Sequence, residues 1–192
     1  MAVKYRVLTE AERLIHNDLS ATASFFQRRV KEQGDKGEMG GIYQNMMASL
    51  VFCAFSIEAK VNFVGWSVLN DSWDERAKLK EKIKRLDKAL ELGFSWGNEP
   101  LQTIKKLKDL RDVLAHGKPE HEYDETILEN EPQIFDALKS QWEETVNPVF
   151  VAQCADAENM LWKRMLEKAD IPEKKTLTSA AQSLSEVVVD QG

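Results

Sequence analysis

The feature that most constrains this chain is the stretch from residue 42 to residue 69, which is apolar almost all the way round a helix. Met46, Leu50, Phe52, Phe55, Ile57, Val61, Val64 and Val68 do not fall on a single stripe. A helix with apolar residues on every side needs cover on every side, so the pattern predicts a central helix wrapped by others. Gln44, Asn45, Glu58, Lys60 and Asn62 interrupt it, and the uncharged portion is too short to span a bilayer as a simple helix. The expectation is a core helix and no membrane partner.

The flanking segments supply that cover. Thr9 followed by Glu12 reads as a capping box, after which Leu14, Ile15, Leu19, Ala23, Phe26 and Val30 recur at helical spacing. The glycines at 34, 37, 40 and 41 then break the pattern. The run GDKGEMGG lacks the Lys-Ser or Lys-Thr ending and the preceding strand of a phosphate-binding loop, so it is read as a connection. A charged third helix buries Leu79, Ile83, Leu86 and Leu90, and a fourth opens near Pro100 and carries Leu101, Ile104, Leu107, Leu110 and Leu114. Gly117 stops it, with Pro119 beyond. Two further helical patterns lie near residues 132–145 and 148–169.

The reading is therefore all-α: an up-and-down helical bundle of about five or six helices. At 192 residues, one core is the natural solution, with a single domain over residues 1–170 and a flexible tail over 171–192. Cys53 and Cys154 sit far apart within apolar patterns, as suits buried reduced thiols. The opening MAVKYRVLTEAERL lacks the apolar core of an export signal, so the expected location is cytoplasmic.

The net charge of −6 argues against nonspecific nucleic-acid binding over the whole surface. The charge is unevenly placed, however. Residues 76–118 carry 12 Lys or Arg against 6 Asp or Glu, and the remainder 14 against 26. That local excess suits either a polyanion or a solvated face laced with ion pairs.

Within the basic segment, Asp112 and His116 stand four residues apart, about 40° around a helix, where a carboxylate can orient an imidazole. Arg111 lies five residues from His116, about 140° away, so the two converge only if the last turn distorts or a second chain contributes. The string Leu110-Arg111-Asp112-Val113-Leu114-Ala115-His116-Gly117 resembles the Arg-x4-His signature of HEPN domains. Glu58 and Asn62, four residues apart in an apolar helix, are similar to a second feature of several HEPN families.

The resemblance implies a HEPN-like bundle, a homodimer with paired motifs in a shared cleft, and metal-independent cleavage of RNA to a 2′,3′-cyclic phosphate. It casts Arg111 as the group that stabilises transition-state charge, His116 as general acid or base, and Asp112 as its orienter. Glu58 and Asn62 are supporting residues, Lys105, Lys106, Lys108 and Lys118 contact RNA phosphates, and no metal or other cofactor is called for. A toxin of a toxin–antitoxin pair, with an antitoxin protein as partner, or a phage-defence effector fits that chemistry.

Other readings stand beside it. Arg111 and Asp112 also suit surface charges, and His116 an ordinary helix-end residue. A noncatalytic dimerisation or partner-binding module, and nucleotide binding without cleavage, are the alternatives. His116, Glu120, His121, Glu122 and Asp124 lack a recognised metal-ligand spacing. The five tryptophans are read as core or interface residues.

Overall fold

The computed structural model describes residues 4–119 and 140–187. The central helix is α2, Ile42–Leu69, preceded by α1, Ile15–Lys36, and followed by α3, Leu79–Leu90, and α4, Leu101–His116. A short α5, Gln141–Thr145, leads into α6, Pro148–Ala169. α2 packs on α1, α3, α4 and α6, which makes the protein an α-helical bundle built around it. Its length and composition would also let it pass for a membrane span, but half of the qualifying stretch is buried among its neighbours. Val61 and Val64 at its middle are fully enclosed.

Local chemistry sets the ends of the other helices. Asn147 accepts the Phe150 amide at 2.9 Å and Pro148 follows it, so α6 begins on a side-chain cap with a residue that needs no partner for its own nitrogen. Ser140 and Glu143 close a reciprocal capping box on α5. Gly117 terminates α4 at φ 52°, ψ 34°, the left-handed conformation that a residue without Cβ adopts at least cost, and its amide bonds Val113. Gly65 has a different role. A Cβ there would lie 2.3 Å from the indole of Trp73, so the missing side chain lets the turn after α2 fold back onto the helix.

Two expectations need correction. The Thr9–Glu12 pattern is not a helix cap: it lies in strand β1, Lys4–Glu12, and α1 starts at Ile15 without a side-chain cap. The segment after residue 171 is not a loose tail over its described part. A 3-10 turn at Glu173–Thr176 is followed by β2, Ser179–Val187, antiparallel to β1 from Lys4↔Val187 to Glu12↔Ser179. The junction is tied down: His16 Nε2 and Asn17 Nδ2 both reach the Thr176 carbonyl, at 3.1 and 2.9 Å, and the Leu14 amide reaches Thr178 Oγ1. The physical cause is long-range strand pairing, which a search for helical periodicity does not detect. Of the helix expected at 132–145, residues 132–139 lie outside the described residues.

Candidate functional site

Arg111 enters the bundle from α4 and meets Glu58 of α2, its Nη2 3.5 Å from Oε2. The other oxygen of the same carboxylate accepts Lys82 Nζ from α3 at 2.9 Å, and Lys82 is only 1% exposed. Arg111 Nη1 lies 3.1 Å from Asp112 Oδ1, and Asp112 Oδ2 takes a hydrogen bond from Lys108. The result is a line of alternating charge, Lys82–Glu58–Arg111–Asp112–Lys108, that fastens three helices together. Phe55 stands beside the guanidinium, its ring centre 6.0 Å away. Arg111 Nε is buried without a hydrogen-bond partner.

Partial burial pushes the Asp112 carboxyl up, but the Lys108 hydrogen bond and the charges of Arg111, Lys108 and His116 outweigh it and hold the group below the ordinary carboxylate range. The expected hydrogen bond from the His116 imidazole to the Asp112 carboxylate is not formed: both carboxylate oxygens serve cations, and His116 is exposed at the helix end. A lysine one turn before Asp112 and the adjacent arginine outcompete an imidazole one turn after it. Asp112 is therefore a positioning group for Arg111 and Lys108, and its link to His116 is electrostatic only.

α4 stays helical through His116, so the separation of about 140° between Arg111 and His116 persists. Arg111 turns toward α2 and α3, and His116 toward solvent. Asn62 does not join Glu58 in the network, and its Oδ1 is buried without a partner. Lys105, Lys106 and Lys118 are exposed, whereas Lys108 is committed to Asp112 and lies 3.9 Å from Asp109. Among the described residues no cluster of His, Cys, Asp and Glu is arranged to hold a metal ion; Glu120, His121, Glu122 and Asp124 lie outside them.

Sequence reasoning missed a second polar centre. Lys60 Nζ of α2 is 2.7 Å from Glu158 Oε1 of α6, inside the bundle. The same carboxylate accepts the Ser56 hydroxyl at 2.5 Å and the Cys53 thiol at 3.4 Å, and Lys60 also reaches Ser20 at 3.2 Å. Both cysteines are free and buried, and burial raises both thiols, Cys53 with added repulsion from Glu158. They are poor nucleophiles in this state. The available signal was a lysine within an apolar helix, which demands a buried counter-ion. No family model matches the chain, and no curated protein or solved structure is significantly similar to it.

Proposed function

We propose that this protein is a HEPN-type endoribonuclease that works as a homodimer, cleaving RNA by attack of a ribose 2′-hydroxyl on the adjacent phosphorus. The observation that supports this most is the division of labour on α4: a guanidinium fixed by Glu58 and Asp112, and an imidazole left exposed one helical end away. Arg111 has five N–H donors, and its two carboxylate contacts use one Nη1 and one Nη2 proton.

In this mechanism His116 takes the 2′-hydroxyl proton as O2′ bonds to phosphorus, and Arg111 stabilises the charge on the phosphoryl oxygens. The 5′-oxygen leaves with a proton from the partner's copy of the same imidazole, giving a 2′,3′-cyclic phosphate. Because Arg111 and His116 diverge within one chain, the dimer is what would complete the site. A toxin or phage-defence role acting in the cytoplasm, with an antitoxin protein as partner, suits such an activity.

The deciding experiment is cleavage of a labelled structured RNA in EDTA by wild type, His116→Ala and Arg111→Ala at matched purity. Wild-type-only cleavage with cyclic phosphate termini is the expected result, and equal cleavage by all three would sink the site assignment. A second reading, a noncatalytic dimerisation module, is favoured by one observation: Phe55 and Trp66, eleven residues apart and so about 20° apart around α2, are 41% and 45% exposed. Dimers without turnover on varied RNAs would favour that reading.

A further inference from the structure

α4 has a second working face. Gln102, Lys105, Asp109 and Val113 fall within a sector of about 80°, on the side away from Arg111. Together with Trp142 of α5 and Phe150 of α6 they border an open groove of about 600 Å³. That volume is within the range of about 300–1,000 Å³ typical of small-ligand sites. His116 lies in the same sector, three residues or about 4.5 Å beyond Val113 along the axis, so the groove runs toward the imidazole.

The lining is chemically specific. Lys106 Nζ sits 4.8 Å from the centre of the Phe150 ring, and neither Lys105 nor Lys106 makes an ion pair among the described residues. Two cations, Lys105 and Lys106, and two carboxylates, Glu99 and Asp109, therefore border the groove. Glu99 accepts the Thr103 hydroxyl at 2.7 Å, and Asp109 lies 3.9 Å from Lys108. Trp142 offers an aromatic surface, and the Gln102 and Gln153 amides can both donate and accept hydrogen bonds.

We infer that this groove seats one nucleotide of a single-stranded RNA, its base on Trp142 and its phosphates on Lys105 and Lys106, with the strand continuing along α4 toward His116, about 15 Å farther along the axis. Stacking on an indole and a basic rail are the two parts that strand binding without strict sequence preference requires. The inference rests on the ribonuclease reading for what happens at His116, and binding in the groove is testable apart from cleavage.

The test uses the full chain and a fluorescein-labelled hexanucleotide with 2′-O-methyl riboses, which cannot undergo 2′-hydroxyl attack, followed by anisotropy in EDTA. Lys106→Glu and Trp142→Leu should weaken binding by about tenfold or more, Gln153→Trp should narrow the groove and weaken binding likewise, and an abasic strand of equal length should bind about tenfold more weakly. Lys106 and Gln153 are exposed, so those two variants keep the fold, and thermal melting checks it.

Failure of wild type to bind, equal binding by the groove variants, or equal binding of the abasic strand would overturn the inference. Binding with the expected variant pattern but no RNA cleavage would uphold the groove and sink the ribonuclease reading. Cleavage undiminished by Gln153→Trp would overturn the groove alone.

Discussion

Lys60 and Glu158, 98 positions apart in sequence, form an ion pair of 2.7 Å with side chains 7% and 8% exposed, and it joins α2 to α6 at the centre of the bundle. The indole of Trp162 covers the ammonium, its ring centre 5.3 Å from Nζ. A charge in such a place is tolerated only because its partner and hydroxyl neighbours replace water.

Removing one member leaves the other charged and buried. Lys60→Met alone or Glu158→Leu alone should lower unfolding stability by about 3–5 kcal/mol, whereas the double variant should recover most of that loss. Urea denaturation of the four proteins tests this, and additive losses would show that the two side chains are not coupled.

The carboxylate of Glu58 has two unequal customers. Lys82 is almost wholly enclosed, while Arg111 retains 27% side-chain exposure. Glu58→Gln should therefore destabilise the fold chiefly through Lys82, by about 2–4 kcal/mol, and Arg111→Met should cost less than about 1 kcal/mol. If the Arg111 variant proves the more damaging in denaturant, Arg111 is structural and its catalytic assignment loses its support.

How much of this was legible depends on the range of the interaction concerned. The ends of α4 were readable because Leu101, Ile104, Leu107 and Leu110 repeat on one face and Gly117 can turn left-handed, all local facts. The partner of Asp112 was not. Spacing of four residues places Lys108 and His116 equally well, and only the arrival of Arg111 and the fixed charge of Lys108 decide between them. The Lys60–Glu158 pair and the β1–β2 ribbon join distant positions, so no window along the chain contains both halves.

Gly65 offers a test of packing free of charge effects. Its Cα faces the buried Trp73 indole so closely that a methyl group would overlap the ring, at 2.3 to 2.4 Å from three of its atoms. Helix propensity alone favours alanine by about 1 kcal/mol. Overpacking should win, with Gly65→Ala less stable by about 1–3 kcal/mol and a changed tryptophan emission spectrum. Gly65→Ala combined with Trp73→Ala should not show the overpacking term; if it does, the close approach is not its source.

His16 gives the bundle a pH dependence whose sign can be worked out. Desolvation by burial lowers its pKa most, the Thr176 carbonyl partly offsets this, and the charge of Lys60 lowers it further, so the group lies below the ordinary 6.5. Phe63 and Trp162 flank the ring at 4.9 and 5.2 Å. As pH falls through 6.5, the unfolded chain takes up the His16 proton before the folded one does, so stability is full above that value and declines below it until the folded group also titrates. For one proton the slope cannot exceed about 1.4 kcal/mol per pH unit. Asp112, also depressed, contributes stability that is present above 3.8 and lost as pH falls through its lower folded value, which among the described residues leaves the window just below 6.5 to His16. Urea midpoints measured from pH 8 to pH 5 should fall for the wild type, and His16→Gln, which keeps a donor for the Thr176 carbonyl, should flatten the slope. An unchanged slope in that variant would assign the acid sensitivity to another group.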